Sequence, residues 1–329
     1  MPTHLLLIIS GVLAGPAPPP VDGRVQKPQA FIVLSRCAAP DVADARPDDL
    51  VAAVAAARAA LDALPPADPT APRLRLRLAD LQIAAANDAL NRAYDAYQRA
   101  LEQNPDAPPP AEPGLDIAAP LATLDAFLRD YPKAPHRDLA LMWRGWLRQE
   151  KGADDLAAAD YRVVGALKAS PLRAEALFRL GNLAFHADRL ADARAALKPL
   201  VALPESPFTP LGLYFLGWVD YRDGRSADAL TTFARLVETR FTDADAAERA
   251  ALFRPEAVEY LAIVLAGEDD AVDAPGAKQK RHLAALARWG AAHPTLRVEV
   301  LGRVALLHDE LGHARAAQAV RGLLARDAP

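Results

Sequence analysis

Residues 141–146 read Leu-Met-Trp-Arg-Gly-Trp, and the pattern returns at residues 177–182 as Leu-Phe-Arg-Leu-Gly-Asn and at residues 213–218 as Leu-Tyr-Phe-Leu-Gly-Trp. The glycines of the three copies, Gly145, Gly181 and Gly217, are therefore spaced 36 residues apart. An alanine follows each glycine by twelve residues, and a bulky apolar residue comes four residues later: Ala157 and Tyr161, Ala193 and Leu197, Ala229 and Phe233. A fixed period of about 20–50 residues is typical of a repeat architecture.

The spacing within one copy predicts two antiparallel helices joined by a short turn. A glycine inside a helix costs roughly 1 kcal/mol relative to alanine, so its recurrence indicates a place where two helices cross closely. We expect the glycine of the first helix to face the alanine of the second. Gly152 and Gly224, seven residues after Gly145 and Gly217, are suited to ending the first helix.

This unit resembles the tetratricopeptide repeat, a helix-turn-helix unit of about 34 residues with a similar signature. The resemblance implies an all-α fold, a right-handed α-α superhelix of about five to six helix pairs. Two features depart from the family pattern. Arg144 stands where leucine is expected, and Phe185 and Tyr221 come one place later than the expected aromatic residue.

Composition and the positions of proline and glycine divide the chain into five segments. These are a predicted signal peptide at 1–20, a proline-rich linker at 21–47, diverged helical repeats at 48–135 with a proline-rich loop at 104–113, three regular units at 136–241, and diverged and capping units at 242–329. In the last segment, Arg254-Pro255 is expected to start a first helix, and residues 281–289 form its delayed partner.

The apolar run from Leu5 to Ala14 has the length of a secretory signal core and is too short to span a bilayer. It favours export to a bacterial periplasm. The region before it carries only His4 and the amino terminus as positive charge, which leaves a flexible tail and a cytoplasmic location as the alternative. No apolar run approaches the roughly 20 residues of a membrane-spanning helix.

Charge and cysteine content exclude several classes of protein. The 329 residues carry a net charge of −4, and the lysines and arginines are scattered, so the basic footprint of a nucleic-acid-binding protein is missing. The single Cys37 excludes an intramolecular disulfide framework and a cysteine-based zinc cluster.

Two stretches invite comparison with metal sites, and neither has the required spacing. His308 and His313 are five residues apart, whereas a zinc-binding helix places its histidines four apart. The acidic loop 268–273 lacks the residue pattern of a calcium loop. Isolated histidines such as His186 and His282 are interpreted as ordinary surface or core residues. Because no phosphate loop or nucleophile motif is present either, we expect no metal, no cofactor and no enzymatic activity.

A stripe of aromatic and apolar residues on the first helices is the main functional signal. In a tetratricopeptide superhelix, the residues just after the central glycine line the concave groove, so the resemblance implies a partner-binding stripe made of Met142, Trp146, Phe178, Asn182, Phe185, Tyr214, Trp218 and Tyr221. Aromatic anchors dominate such interfaces. The alternative is that several of these rings pack between neighbouring units.

From about residue 70 to residue 329, the pattern resembles bacterial envelope tetratricopeptide proteins, including gliding-motility and outer-membrane-assembly scaffolds. The resemblance implies a non-catalytic scaffold that binds a protein or peptide partner in its groove. The alternative is a structural subunit that assembles with copies of itself, and a metal-dependent enzyme is a more distant third.

Overall fold

The computed structural model describes residues 49–65, 67–103, 108–267, 272–273 and 275–325. These residues form thirteen α-helices and no strand, which confirms the all-α prediction for the described part of the chain. The helices are α1 (Leu50–Asp62), α2 (Ala71–Gln103), α3 (Ala118–Asp130), α4 (Arg137–Glu150), α5 (Asp154–Ala166), α6 (Arg173–His186), α7 (Leu190–Val201), α8 (Thr209–Arg222), α9 (Ser226–Glu238), α10 (Ala244–Ala266), α11 (Ala277–Ala292), α12 (Arg297–Glu310) and α13 (Ala314–Ala325). The signal and linker segments predicted for residues 1–47 lie outside the described residues. The chain divides after Arg179, within α6, into an N-terminal and a C-terminal compact unit.

In the N-terminal unit, α2 is the helix against which α1 and α3 pack. Leu50 and Ala57 of α1 share an apolar cluster with Leu78 and Leu81 of α2. On the α3 side, the Thr123 hydroxyl donates a hydrogen bond of 2.7 Å to Gln82 Oε1. The predicted loop at 104–113 has no helix at residues 108–113, and residues 104–107 lie outside the described part.

An ion-pair cluster around the buried Asp160 joins α3, α4 and α5 and explains the arginine that departs from the repeat pattern. Arg144 donates to both carboxylate oxygens of Asp160, at 3.0 and 2.5 Å, and to Asp125 at 2.8 Å. Arg148 donates to the same Asp160 at 2.9 Å. Asp160 is only 3% exposed, so these charge-assisted bonds replace solvation that the carboxylate loses on burial.

The C-terminal unit is built around α8. This helix packs against α7, α9 and α10, and α10 in turn packs against α12. All residues from Thr209 to Asp220 of α8 are buried. A helix that is apolar all round is typical of a core position, and α8 occupies such a position.

The close crossing predicted at each central glycine is present in both units. An added Cβ atom would lie 2.7 Å from Tyr161 Cε1 at Gly145, 2.6 Å from Leu197 Cγ at Gly181, and 2.6 Å from Phe233 Cε1 at Gly217. The prediction that each glycine faces an alanine is corrected. The nearest side chain is the bulky residue four positions after that alanine, which lies against the glycine backbone where a Cβ would otherwise stand.

The first helix of four hairpins ends in the same left-handed turn. Gly152 and Gly224 have φ of 71°, Gly312 has φ of 78°, and Asp188 has φ of 58°. The following residue donates a backbone hydrogen bond to the carbonyl five residues earlier, in the pairs Ala153–Arg148, Arg189–Ala184, Arg225–Asp220 and His313–His308, at 2.7–2.9 Å. Gly152, Asp188 and Gly224 are 36 residues apart, so the sequence period is also a period of the backbone.

The structure corrects the predicted start of α10. This helix begins at Ala244, and Pro255 lies inside it rather than at its first turn. The Asp243 carboxylate accepts a hydrogen bond of 2.8 Å from Ala246 N and so caps the helix eleven residues before the predicted start. The predicted partner at residues 281–289 is the longer helix Ala277–Ala292.

Candidate partner-binding site

Two of the three stripe residues predicted in the N-terminal unit are buried. Met142 is 0% exposed and Trp146 is 2% exposed. Phe178, on the first half of α6, is half-buried and reaches solvent. In this unit, therefore, Phe178 is the predicted residue that keeps accessible surface.

In the C-terminal unit, four of the five predicted residues are buried. Asn182, Phe185, Tyr214 and Trp218 belong to this group, and Trp218 is 0% exposed. Tyr221, at the last turn of α8, is half-buried. The position of α8 accounts for the burial, since every side of the helix before Tyr221 is covered by neighbouring elements.

The buried rings fill the space between α8 and α10. Tyr214 stacks on Phe253 with ring centroids 4.5 Å apart and an interplanar angle of 27°. Trp218 lies 4.1 Å from Tyr260, centroid to centroid. In this conformation these rings pack between neighbouring helices, which is the alternative raised by the sequence. Direct partner contact stays a prediction for Phe178 and Tyr221, which have accessible surface.

The accessible edge of this aromatic cluster lies where Tyr221 meets α10. The Tyr221 ring is 5.6 Å from Tyr260, centroid to centroid. Glu256 and Glu259, on the same helix as Tyr260, are half-buried. Arg303 of α12 donates to both oxygens of Glu259, at 2.5 and 2.9 Å. We call the surface made by Tyr221, Glu256, Glu259 and Arg303, which covers the buried Tyr260, the α8–α10 edge.

Burial perturbs the ionisable groups of this edge. Loss of solvation raises the pKa of the Glu256 carboxyl, and the neighbouring Tyr214 hydroxyl opposes that rise. Burial also raises the pKa of the Tyr214 hydroxyl, with Glu256 adding to the effect. Tyr214 Oη and Trp218 Nε1 are buried, and neither makes a hydrogen bond of good geometry. Glu256 and Tyr214 are thus close enough to influence each other, without a well-formed hydrogen bond between them.

His282 and His308 form a pair that joins α11 to α12. No feature of the sequence connects these two residues. His282 Nε2 lies 3.3 Å from His308 Nε2, and the rings are nearly perpendicular. Burial lowers the pKa of His282, and burial together with the neighbouring His282 and His313 lowers the pKa of His308 to about 4. Within the part of the chain that the structure describes, no three His, Cys, Asp or Glu side chains are grouped to hold a metal ion.

Two of these features left no usable signal in the sequence. His282 and His308 are 26 residues apart and belong to different helices, so neither shares a periodic motif with the other. Glu256 follows Pro255, which was interpreted as a helix start and therefore pointed to the wrong part of α10. By contrast, Arg144 and Asp160 sit next to Gly145 and Tyr161, so their contact could have been inferred from the glycine crossing.

Comparison with known proteins finds no family model that matches this chain and no curated protein that matches it. Among the helices that the structure describes, none is both long and apolar enough to cross a membrane.

Proposed function

We propose that the chain is a non-catalytic scaffold of tetratricopeptide type that binds an extended peptide or protein segment. In this proposal the helix pairs stack as a right-handed α-α superhelix, and the protein works in the bacterial periplasm. The main support is the repeated hairpin, in which the glycine crossing and the left-handed turn both recur every 36 residues. Repeats of this kind present extended binding surfaces, and function then depends on the side chains placed on them.

Partner contact is assigned to the accessible rings Phe178 and Tyr221. A photoreactive phenylalanine analogue placed at either position in the native host should give an adduct with one partner protein. The same analogue at Val51, which is 73% exposed on α1, is the matched control. The crosslinked segment of that partner, made as a peptide, should then bind the purified protein saturably. Equal adducts at Val51, or a segment that does not bind, would contradict the proposal.

Export is tested separately from binding. If the apolar run drives export, replacing Leu7 and Ile8 by aspartate should leave the protein in the cytoplasm, because the apolar core engages the export machinery. Unchanged fractionation would refute the periplasmic location and leave the binding proposal intact.

A second candidate function is self-assembly through α5. Leu156 and Val163 lie two turns apart on α5 and are 55% and 42% exposed, and Leu167, the residue that follows the last turn of α5, is 43% exposed. An exposed apolar stripe of this kind is a typical contact between protein copies. Light scattering should then show a concentration-dependent oligomer that Leu156→Glu abolishes and Val51→Glu retains. A monomer at all concentrations would exclude this function.

A further inference from the structure

Helix α11 is held on the C-terminal unit by few buried side chains. It packs against α12 and α13, and its buried residues are Leu286 and Gly290, both in its second half or at the middle of the helix. One turn before Leu286, the His282–His308 pair makes a polar contact between α11 and α12. This pair therefore has a large share in attaching the first half of α11.

The contact between the two histidines depends on their being neutral. His282 Nε2 and His308 Nε2 are 3.3 Å apart, so a hydrogen bond forms when one of these nitrogens carries a proton and the other does not. Full protonation places hydrogens on both nitrogens and two positive charges side by side, which removes the bond and adds repulsion. His308 is 0% exposed and its Nδ1 has no hydrogen-bond partner among the described residues, so its charged form is poorly stabilised.

Several charged groups act on the buried ring of His308, and they are His282 of α11, His313 before α13, Asp273 of the preceding loop and Asp309 of α12 itself. The histidines oppose protonation and the aspartates favour it. Burial has the largest effect, so the pKa of His308 is lowered to about 4. Burial also lowers the pKa of His282. Both rings are therefore neutral near pH 7.

The carboxylates around the pair have partners of their own. Asp309 is paired with Arg321, and Asp273 accepts a hydrogen bond of 2.9 Å from a backbone N–H of α13. On α10, which packs against α12, Glu259 is paired with Arg303. These contacts hold the carboxylates in place near the histidines without neutralising a charge on the pair.

The other end of α11 is fastened by a histidine with the opposite response to acid. His293, directly after the helix, lies 3.1 Å from both carboxylate oxygens of Glu238 on α9, and its ring packs against Trp289. Protonation of His293 turns this contact into an ion pair and strengthens it. Mild acid thus weakens the attachment of the first half of α11 and strengthens that of its last turn.

We propose that residues 277–286 of α11 form an acid-released flap, which the neutral His282–His308 pair keeps closed. Protonation of the pair detaches this half of the helix from α12, while the contact of His293 with Glu238 keeps the last turn in place. The surface of α12 and α13 beneath the flap is then covered near neutral pH and accessible in acid. This device goes beyond the proposed function and does not depend on a partner.

The size of the effect follows from the closed and open forms of His308. Its pKa is about 4 in the closed form and about 6.5 when exposed, so the constant for opening rises roughly 30-fold between about pH 7.5 and pH 5. An open fraction of about 1% at the higher pH then becomes about a quarter at the lower one.

Distances between pairs of spin labels, measured by pulsed electron paramagnetic resonance, test this opening in the full-length protein. Labels on Lys280→Cys and Gln318→Cys report the flap relative to α13, and labels on Ala291→Cys and Gln318→Cys report the last turn of α11; all three positions are exposed. Cys37→Ser removes the native thiol in both cases. We expect the first pair of labels to gain a longer distance at pH 5 and the second pair to keep its distribution of pH 7.5.

Histidine variants connect the opening to the pair. His308→Gln removes the buried titrating group, so its flap distance should be the same at pH 7.5 and pH 5. His282→Gln removes the facing charge and should reduce the gain of the longer distance by about threefold or more, whereas the control His186→Gln should respond as the wild type does. If His308→Gln is already open at pH 7.5 through lost packing, His282→Gln decides the outcome. A wild-type distribution that is the same at both pH values would overturn the inference, and so would equal acid responses in the wild type and in the variants of the pair.

Discussion

Gly217→Ala tests the repeated helix crossing, because the added methyl group would overlap a neighbouring side chain. Its Cβ would lie 2.6, 2.7 and 2.8 Å from three ring carbons of Phe233. Carbon atoms approach favourably only to about 3.5–4.0 Å, so the ring or α9 would have to recede by about 1 Å. Phe233 is 0% exposed and is stacked near Tyr260, with ring centroids 5.9 Å apart, so the ring has no free space to occupy.

The expected change in the free energy of unfolding is the balance of two effects. Overpacking of a buried site costs about 1–3 kcal/mol, and replacing glycine by alanine within a helix returns about 1 kcal/mol. We therefore expect Gly217→Ala to lower the free energy of unfolding by about 0–2 kcal/mol. Gly302→Ala in α12 is the matched control, because no atom lies within 4 Å of its added Cβ. This control should gain up to about 1 kcal/mol from helix propensity alone.

The assay is equilibrium denaturation followed by circular dichroism at the helix band. In a Phe233→Ala background, which removes the ring, Gly217→Ala should become neutral or stabilising, because the two positions are coupled by direct contact. A Gly217→Ala protein as stable as Gly302→Ala would refute the close crossing as the reason for the recurring glycine.

Three further predictions follow from buried charge, backbone strain and buried histidine. Asp160→Asn should lower the free energy of unfolding by about 3 kcal/mol, because Arg144 and Arg148 lose the carboxylate they share. Asp95→Asn on the exposed face of α2 should change it little in the same denaturation assay. Gly224→Ala should cost about 1–2 kcal/mol, because its φ of 71° is unfavourable for residues with a Cβ, and a melting temperature equal to that of the wild type would contradict this. The folded pKa of His308 lies near 4, below its ordinary value of 6.5, so the unfolded chain binds the proton more readily. The contribution of His308 to stability should therefore be constant above about pH 6.5 and fall by at most about 3 kcal/mol as pH drops to about 4. Denaturation at several pH values should show a flatter fall for His308→Gln than for the control His186→Gln.

The sequence was sufficient to predict the helical repeat because its signals are local. The glycine period and the turns at Gly152 and Gly224 both follow from residues within one hairpin. The equivalent turn at Asp188 was missed because no glycine marks it, although aspartate is among the few other residues that adopt the left-handed conformation.

What could not be predicted depends on contacts between hairpins. The burial of Trp218 depends on Tyr260 of α10, which lies beyond the regular repeats, and the sequence assigned α10 a later start because of Pro255. An aromatic stripe has the same spacing whether it faces a groove or a neighbouring helix, so periodicity alone cannot distinguish these two cases.

The most direct test of the proposed binding surface is to measure melting and peptide affinity together for Trp218→Ala and Tyr221→Ala, using the peptide made from the crosslinked partner segment. Trp218 is 0% exposed, so Trp218→Ala should lose about 3–5 kcal/mol of stability while its affinity per folded molecule stays within twofold. Tyr221 is half-buried at the α8–α10 edge, so Tyr221→Ala should lose only about 1 kcal/mol of stability and at least tenfold in affinity. The opposite result, in which Trp218→Ala melts like the wild type but binds poorly while Tyr221→Ala binds normally, would contradict the assignment of Trp218 to the core and of Tyr221 to the binding surface.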